Sequence, residues 1–158
     1  MPKNQTMRGK DAVSGSLAEC YITIDGKRYN FMQIIGFEST MTKNKTKVPI
    51  LGKRSKGNKA TTCEYEFKGT AHYNQSIMRK LLYNFKELGE DCYFDIQVTN
   101  EDPTSAAGRQ TIIHKDCNMD SGTLSKFDAD SDYLDEDITG TFEDWEMPEE
   151  FELLEGME

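Results

Sequence analysis

Two histidines and one tryptophan are all that 158 residues hold of those types, and no Gly-x-Ser-x-Gly elbow occurs. A Ser-His-Asp or Cys-His set would have to use His72 or His114, and each is expected at a strand edge instead. No catalytic residue is assigned. The nearest two of the four cysteines (Cys20, Cys63, Cys92, Cys117) lie 25 residues apart, and no histidine stands at finger-like spacing. Zinc and CxxC redox chemistry are therefore unsupported, buried free thiols are expected, and neither a metal nor a cofactor is anticipated. No run of 18 apolar residues exists, and the first twenty residues contain nothing like a signal-peptide core, which predicts a cytoplasmic chain with no membrane partner. After Lys126 there is no base at all.

What is present is charge, sharply segregated. Residues 1–60 carry 12 bases and 4 acids, whereas residues 61–158 carry 7 bases and 24 acids, for a net charge of −9. The total disfavours nonspecific binding to nucleic acid or anionic membrane. The segregation suggests self-complementarity, in which a basic element of one copy meets an acidic surface of the next and generates head-to-tail rings or filaments. A small β-barrel binding module using the basic segment for nucleic acid or an acidic partner is the competing reading. Against it, residues 43–60 hold no aromatic side chain on which bases could stack.

The pattern along the chain predicts a mainly β, α+β fold: two antiparallel sheets packed as a sandwich or partly open barrel with one flanking helix. Residues 1–16 are polar and aperiodic and read as an arm, followed by a single domain over 17–145. Cys20, Ile22 and Ile24 alternate up to an Asp25-Gly26 turn, and the second arm of that hairpin is expected to run on as one long bent strand through Met41, with a bulge near Ile34 to Gly36. Residues 43–60, with seven bases and no acid, read as a long exposed loop. Alternation resumes from Cys63 to Ala71. Asn74 is placed to cap a helix over 75–88 that Gly89 ends, and strands are expected at 94–99, 109–119, 123–129 and 137–145. Residues 146–158 read as an acidic tail.

Near-misses to binding motifs do not survive inspection. Gly52 to Lys59 lacks the Gly-Lys-[Ser/Thr] ending of a phosphate loop. Asp128, Asp130 and Asp132 copy the start of a calcium hand, but Tyr133 and Thr139 stand where glycine and the bidentate glutamate belong.

The segments VPILGK (48–53), KGNKATT (56–62), YFDIQVTNEDPTSAAGRQT (93–111) and TFEDWEMPEEF (141–151) resemble the XkdM-like tail tube proteins of contractile phage tails and phage-tail-like bactericidal particles, over about residues 11–152. The resemblance implies a structural subunit of the inner tube, with hexameric rings stacked around a hollow lumen inside a sheath. Its implied partners are further copies of itself, the tail sheath, the baseplate and the tape-measure protein, with no specific nucleic-acid binding. It implies assembly in the bacterial cytoplasm and then residence in a virion tail or a released particle such as an R-type bacteriocin. In that family the long loop reaches the neighbouring ring, which makes Lys43, Lys45, Lys47, Lys53, Arg54, Lys56 and Lys59 the inter-ring contact candidates. Polar strand rows would line the bore: Glu19, Tyr21 and Thr23; Glu64, Glu66 and Thr70; Thr139, Thr141 and Glu143.

Overall fold

The computed structural model describes residues 6–157. Positions 1–5 of the expected arm and Glu158 of the expected tail lie outside the described residues. Eight strands, β1 (Ala18–Ile24), β2 (Lys27–Asn30), β3 (Ile34–Val48), β4 (Gly57–His72), β5 (Phe94–Glu101), β6 (Arg109–Gly122), β7 (Asp135–Thr141) and β8 (Asp144–Glu149), form one antiparallel sheet, with helix α1 (Ile77–Leu88) between β4 and β5. The sheet order is β2-β1-β5-β6-β7-β4-β3, and β8 also pairs with β6. The mainly β architecture with one helix is the one expected, realised as an open barrel.

Strand β6 belongs to both halves of the sheet. Thr111 to Lys115 pair with β8 while the same stretch pairs with β5 on its other side, and beyond a register shift Asn118 to Gly122 pair with β7. The sheet thereby folds over on itself, and the inward rows of both halves meet. Cys20, Ile22 and Ile24 of β1, Phe94 and Ile96 of β5, Phe67 of β4, Ile138 of β7 and Met78 of α1 form one core. Phe67 stacks on Phe37 and meets Phe94 edge-on, geometries aromatic pairs favour. Gly140 is required opposite Phe67, because a Cβ there would overlap the Asn118 carbonyl oxygen.

The Asp25-Gly26 turn is as expected, with φ of 50° and 77°, the left-handed pair of a type I′ hairpin. The register shift between Ile34 and Gly36 is also the expected bulge. Other expectations are corrected. The single bent strand through Met41 is two strands: β2 ends at Asn30, and β3 starts anew at Ile34 to pair with β4 rather than β1. Residues 43–60 are not one long loop: residues 43–48 and 57–60 are strand, and residues 49–56 connect them. They are the outer part of the β3–β4 hairpin, closed by a turn in which Lys53 N–H donates to the Ile50 carbonyl at 3.2 Å and Gly52 takes φ of 84°. Lysine at every second position suits a ribbon exposed on both faces, where neither row has to be apolar. Residues 123–129 form no strand, and residues 144–149, placed partly in the acidic tail, form β8. All six side chains of β8 are exposed, and it is held by backbone pairing with β6 together with the side-chain bonds of Glu146 to Lys115 at 2.7 Å and of Glu149 to Thr111 at 2.9 Å and Arg109 at 3.1 Å. The N-cap position is Ser76, not Asn74, and its side chain makes no capping bond; the helix ends at Gly89, whose N–H bonds the Phe85 carbonyl at 3.0 Å.

Candidate functional site

The candidate site is an assembly surface, and its most conspicuous element is the hairpin. β4 has β7 beside it only from Glu66 to His72, so the ribbon outside that point projects from the body. Strand alternation assigns its faces. Lys43, Lys45 and Lys47 continue the row of Phe37 and Met41, whereas Lys59, opposite Thr46, continues the other row. A bulge between Asn44 and Lys45 is fastened by Asn44 Nδ2 donating to Thr62 Oγ1 at 3.0 Å and Thr61 Oγ1 donating to the Asn44 carbonyl at 3.1 Å. Lys53, Arg54 and Lys56 lie in the connection between the strands. The seven candidate bases therefore share one projecting element but not one face. Sequence reasoning missed the apex itself: Val48, Ile50 and Leu51 are all exposed. VPILG was the available signal, overshadowed by the lysines around it.

At the opposite end of the same strands lies acid. His72 pairs with Asp135, and residues 123–134 connect β6 to β7 there, with Tyr73 N–H bonded to the Leu134 carbonyl and Tyr133 edge-on to His72. Asp128, Asp130, Asp132 and Asp135 cluster at this end, with Lys126 bonded to Asp135 at 3.1 Å. Arg79 of α1 anchors the region, donating to Glu136 Oε2 at 2.6 Å and to the Thr123 carbonyl at 3.0 Å. Burial raises the Glu136 pKa, and Arg79 opposes that shift.

The lumen candidates fall on two outward faces on opposite sides of the core. Glu64, Glu66, Thr70, Thr139 and Thr141 share the face of the half-sheet that contains β4 and β7, where Thr70 bonds Asp137, Ser121 bonds Thr139, and Glu66 and Asp120 border one hollow. Glu19, Tyr21 and Thr23 lie on the other half, beside Thr99, Gln97 and Asp95. Glu143 occupies the turn between β7 and β8, with its N–H on the Lys115 carbonyl. A single bore cannot receive both faces of one subunit, so the combined row is corrected to two.

Two devices hold the assembly elements to the body. His114, expected at an edge, is instead buried on the central strand β6, edge-on to Phe37 and Phe142. Its Nδ1–H donates to the Ile96 carbonyl at 3.0 Å, which leaves Nε2 to accept from Ser39 Oγ at 2.8 Å and ties β3 at the root of the hairpin to β5 and β6. Burial lowers its pKa, against the raising effect of the Ile96 bond. The second device is Asp102, buried inside the NEDPTS segment. It accepts from Thr104 N and Oγ1 and from Ser14 N–H, and Ser105 donates to the Asp11 carbonyl. These bonds, the Thr104 hydroxyl first among them, lower its pKa. The described part of the arm is thus docked on the β5–β6 connection. Burial pushes the Cys20 and Cys117 thiols up to about 12, whereas Cys63, expected buried, is exposed on the hairpin. Among the described residues no cluster of His, Cys, Asp and Glu could hold a metal ion.

A family model described as "Phage tail tube protein" matches residues 5–149. The phage-like element PBSX protein XkdM of Bacillus subtilis (strain 168) is 31% identical over 143 residues, covering 90% of this chain and 95% of that protein. The uncharacterized protein YqbM of the same strain is 30% identical over 144 residues, covering 91% and 95%. Among solved structures, a chain of the anti-feeding prophage baseplate superimposes with a TM-score of 0.65 at 13% identity, covering 86% of this chain and 94% of that one. A chain of the sheath–tube complex of an extracellular contractile injection system gives 0.61 at 12%, covering 81% and 86%, and the SPP1 tail tube gives 0.61 at 10%, covering 90% and 81%. At these identities the structural likeness speaks to the fold.

Proposed function

The chain belongs to the phage tail tube protein family, and from that premise we propose that it is a non-catalytic building unit of the inner tube of a contractile phage tail or phage-tail-like particle. In this reading six copies close into a ring, and rings stack head to tail around a hollow bore inside the sheath. The observation that carries it is the polarity of the subunit: a basic hairpin leaves one end of β4, and the acidic 123–137 region closes the other. Such a subunit is complementary to a copy translated along its own strands, which is the requirement for an open-ended stack. Lys43, Lys45, Lys47, Lys53, Arg54, Lys56 and Lys59 supply the inter-ring contacts. An exposed pair contributes only about 0.2–1 kcal/mol, so the effect depends on repetition around the ring.

For the bore we favour the face of Glu64, Glu66, Thr70, Thr139 and Thr141. It is the more acidic one, with Glu38, Asp120 and Asp137 beside them and Lys68 paired to Glu38, whereas Arg109 and Lys115 offset acids on the other face. An acidic wall repels nucleic-acid phosphates and lets them slide. Sheath, baseplate and tape-measure proteins are the partners this role calls for, first in the cytoplasm and then in the finished particle.

The test is electron microscopy of the purified protein, alone and with its sheath and baseplate, together with identification of the chain in particles from producing cells. Stacked rings are expected, and particles whose inner tube lacks the chain would end the reading. Reversing the seven bases to Glu is expected to block stacking while the unfolding midpoint stays unchanged. With Cys63→Ser removing the exposed thiol, Glu66→Cys in tubes should resist a large maleimide that labels Glu19→Cys, and the reverse pattern would exchange the two faces.

A further inference from the structure

We propose that the hairpin apex, Val48–Leu51, is an apolar plug that seats in a groove between β1 and the start of β3 of the next copy; the proposal rests on the tube reading and names the surface that receives the hairpin. The apex is built to present an aliphatic side chain. Ile50 folds back over Gly57, where a Cβ would come within 2.8 Å of Ile50 Cδ1, and Leu51 is left fully exposed beside Gly52 in the left-handed region. None of the described residues covers it. With Val48 and Ile50 also exposed, the tip presents grouped aliphatic side chains and not one scattered hydrophobe, and an exposed apolar patch marks a contact surface.

The receiving groove lies where the barrel is open. Among the described residues β2 runs beside β1 only from Tyr21 to Ile24, the Cys20 carbonyl accepts from Phe31 N–H at 2.9 Å, Ala18 and Glu19 have no strand on that side, and β3 has a strand only on its β4 side. Between these two edges is a groove of about 540 Å³. Its floor is Cys20, Phe31 and Phe37, and Met32 and Ile35 stand on its rim, 85% and 52% exposed. Glu19 lines it, and no Lys or Arg among the described residues does. An apolar floor with a carboxylate at its margin is complementary in kind to an apolar tip flanked by Lys47, Lys53, Arg54 and Lys56.

The two surfaces are at opposite ends of β3. At about 3.3 Å per residue, the thirteen steps from Ile35 to Val48 separate them by roughly 40 Å. No apex can reach its own groove, so the contact runs between copies and propagates.

The test uses tubes assembled from the full chain in a Cys20→Ala/Cys63→Ser/Cys92→Ser background, which removes the groove-floor thiol and the accessible ones. Leu51→Cys combined with Ile35→Cys, treated with a short bis-maleimide, is expected to give a ladder of covalent multimers on a denaturing gel, whereas Leu51→Cys alone gives at most a dimer. Tubes of normal appearance without a ladder overturn the plug while leaving the tube reading intact. Wild-type protein that forms no tube even with baseplate and sheath overturns the tube reading, and the plug with it. Should the double variant fail to assemble, Leu51→Asp decides independently. It alters an exposed side chain and is expected to leave the unfolding midpoint unchanged while lowering tube yield at least tenfold, and normal tubes from it refute the proposal.

Discussion

Replacing Arg79 by Met tests whether the α1–β7 ion pair acts as a buried one. Arg79 and Glu136 side chains are 20% and 8% exposed, and the guanidinium also serves the Thr123 and Gln75 carbonyls and lies 4.5 Å from the Tyr73 ring centroid. Methionine keeps the aliphatic stem but strands the Glu136 carboxylate among buried groups. Removing one partner of a fully buried pair costs about 3–5 kcal/mol, and the residual exposure of Arg79 places the expected loss near the lower bound, about 2–3 kcal/mol. In a domain of this length that is a fall of roughly 4–12 °C in Tm. The pH dependence has a definite sign. Folding already raises the Glu136 pKa, and losing the cation raises it further. The penalty therefore applies above the unfolded carboxyl value and shrinks as acidification lets Glu136 protonate in the folded chain. Urea unfolding of unassembled subunits at pH 7 and pH 5 should show a larger deficit at pH 7, and Arg79→Met/Glu136→Gln should recover much of it. A deficit below about 1 kcal/mol with no pH dependence would mean that the pair behaves as a solvated surface pair, and the reasoning would fail.

Gly140→Ala should cost about 1–3 kcal/mol, because its Cβ would meet the Asn118 carbonyl and lie 2.6 and 2.7 Å from Phe67 ring atoms. Gly15→Ala, with open space around it, should stay within about 0.5 kcal/mol, and thermal unfolding of the two variants side by side makes the comparison. Because burial lowers the His114 pKa, its contribution is held at neutral pH and drains away as pH falls below about 6.5 toward the folded value. His114→Gln should accordingly flatten the acid limb of stability against pH relative to wild type, and parallel limbs would show that the imidazole does not titrate with unfolding.

The sequence exposed those elements in which one face is buried and the other wet. Cys63 to Ala71 and Cys20 to Ile24 alternate because Phe67, Ala71, Ile22 and Ile24 enter the core, and a two-residue period survives any choice of partner strand. The hairpin has the same period in Lys43, Lys45 and Lys47, but its bases, two glycines and proline argue against a strand only where one face must be buried, and here neither is. The apolar row of β8 is only Trp145 and Met147, both exposed, too short a period among acids to separate the segment from a tail. The division of β6 between β8 and β7 falls between Lys115 and Asn118, beside Asp116 with its φ of 53°, which is a property of pairing and not of residue type. For the same reason the polar rows were legible while their distribution over two faces was not. His114 was misplaced because its strand's central position is fixed by long-range order.

The shared strand β6 also governs synthesis. Emerging from the ribosome, the chain first offers the β1–β2 and β3–β4 hairpins, each closed locally. β5 can join β1, but no bond of the sheet connects β3–β4 to the rest until β6 and β7 have both appeared, with residues 109–141. At about 5–20 residues per second a long ribbon edged with unpaired backbone waits several seconds for its partners. The alternating lysines of that ribbon repel their counterparts on neighbouring nascent chains, so the segment that later promotes association is protected from premature pairing by its own charge.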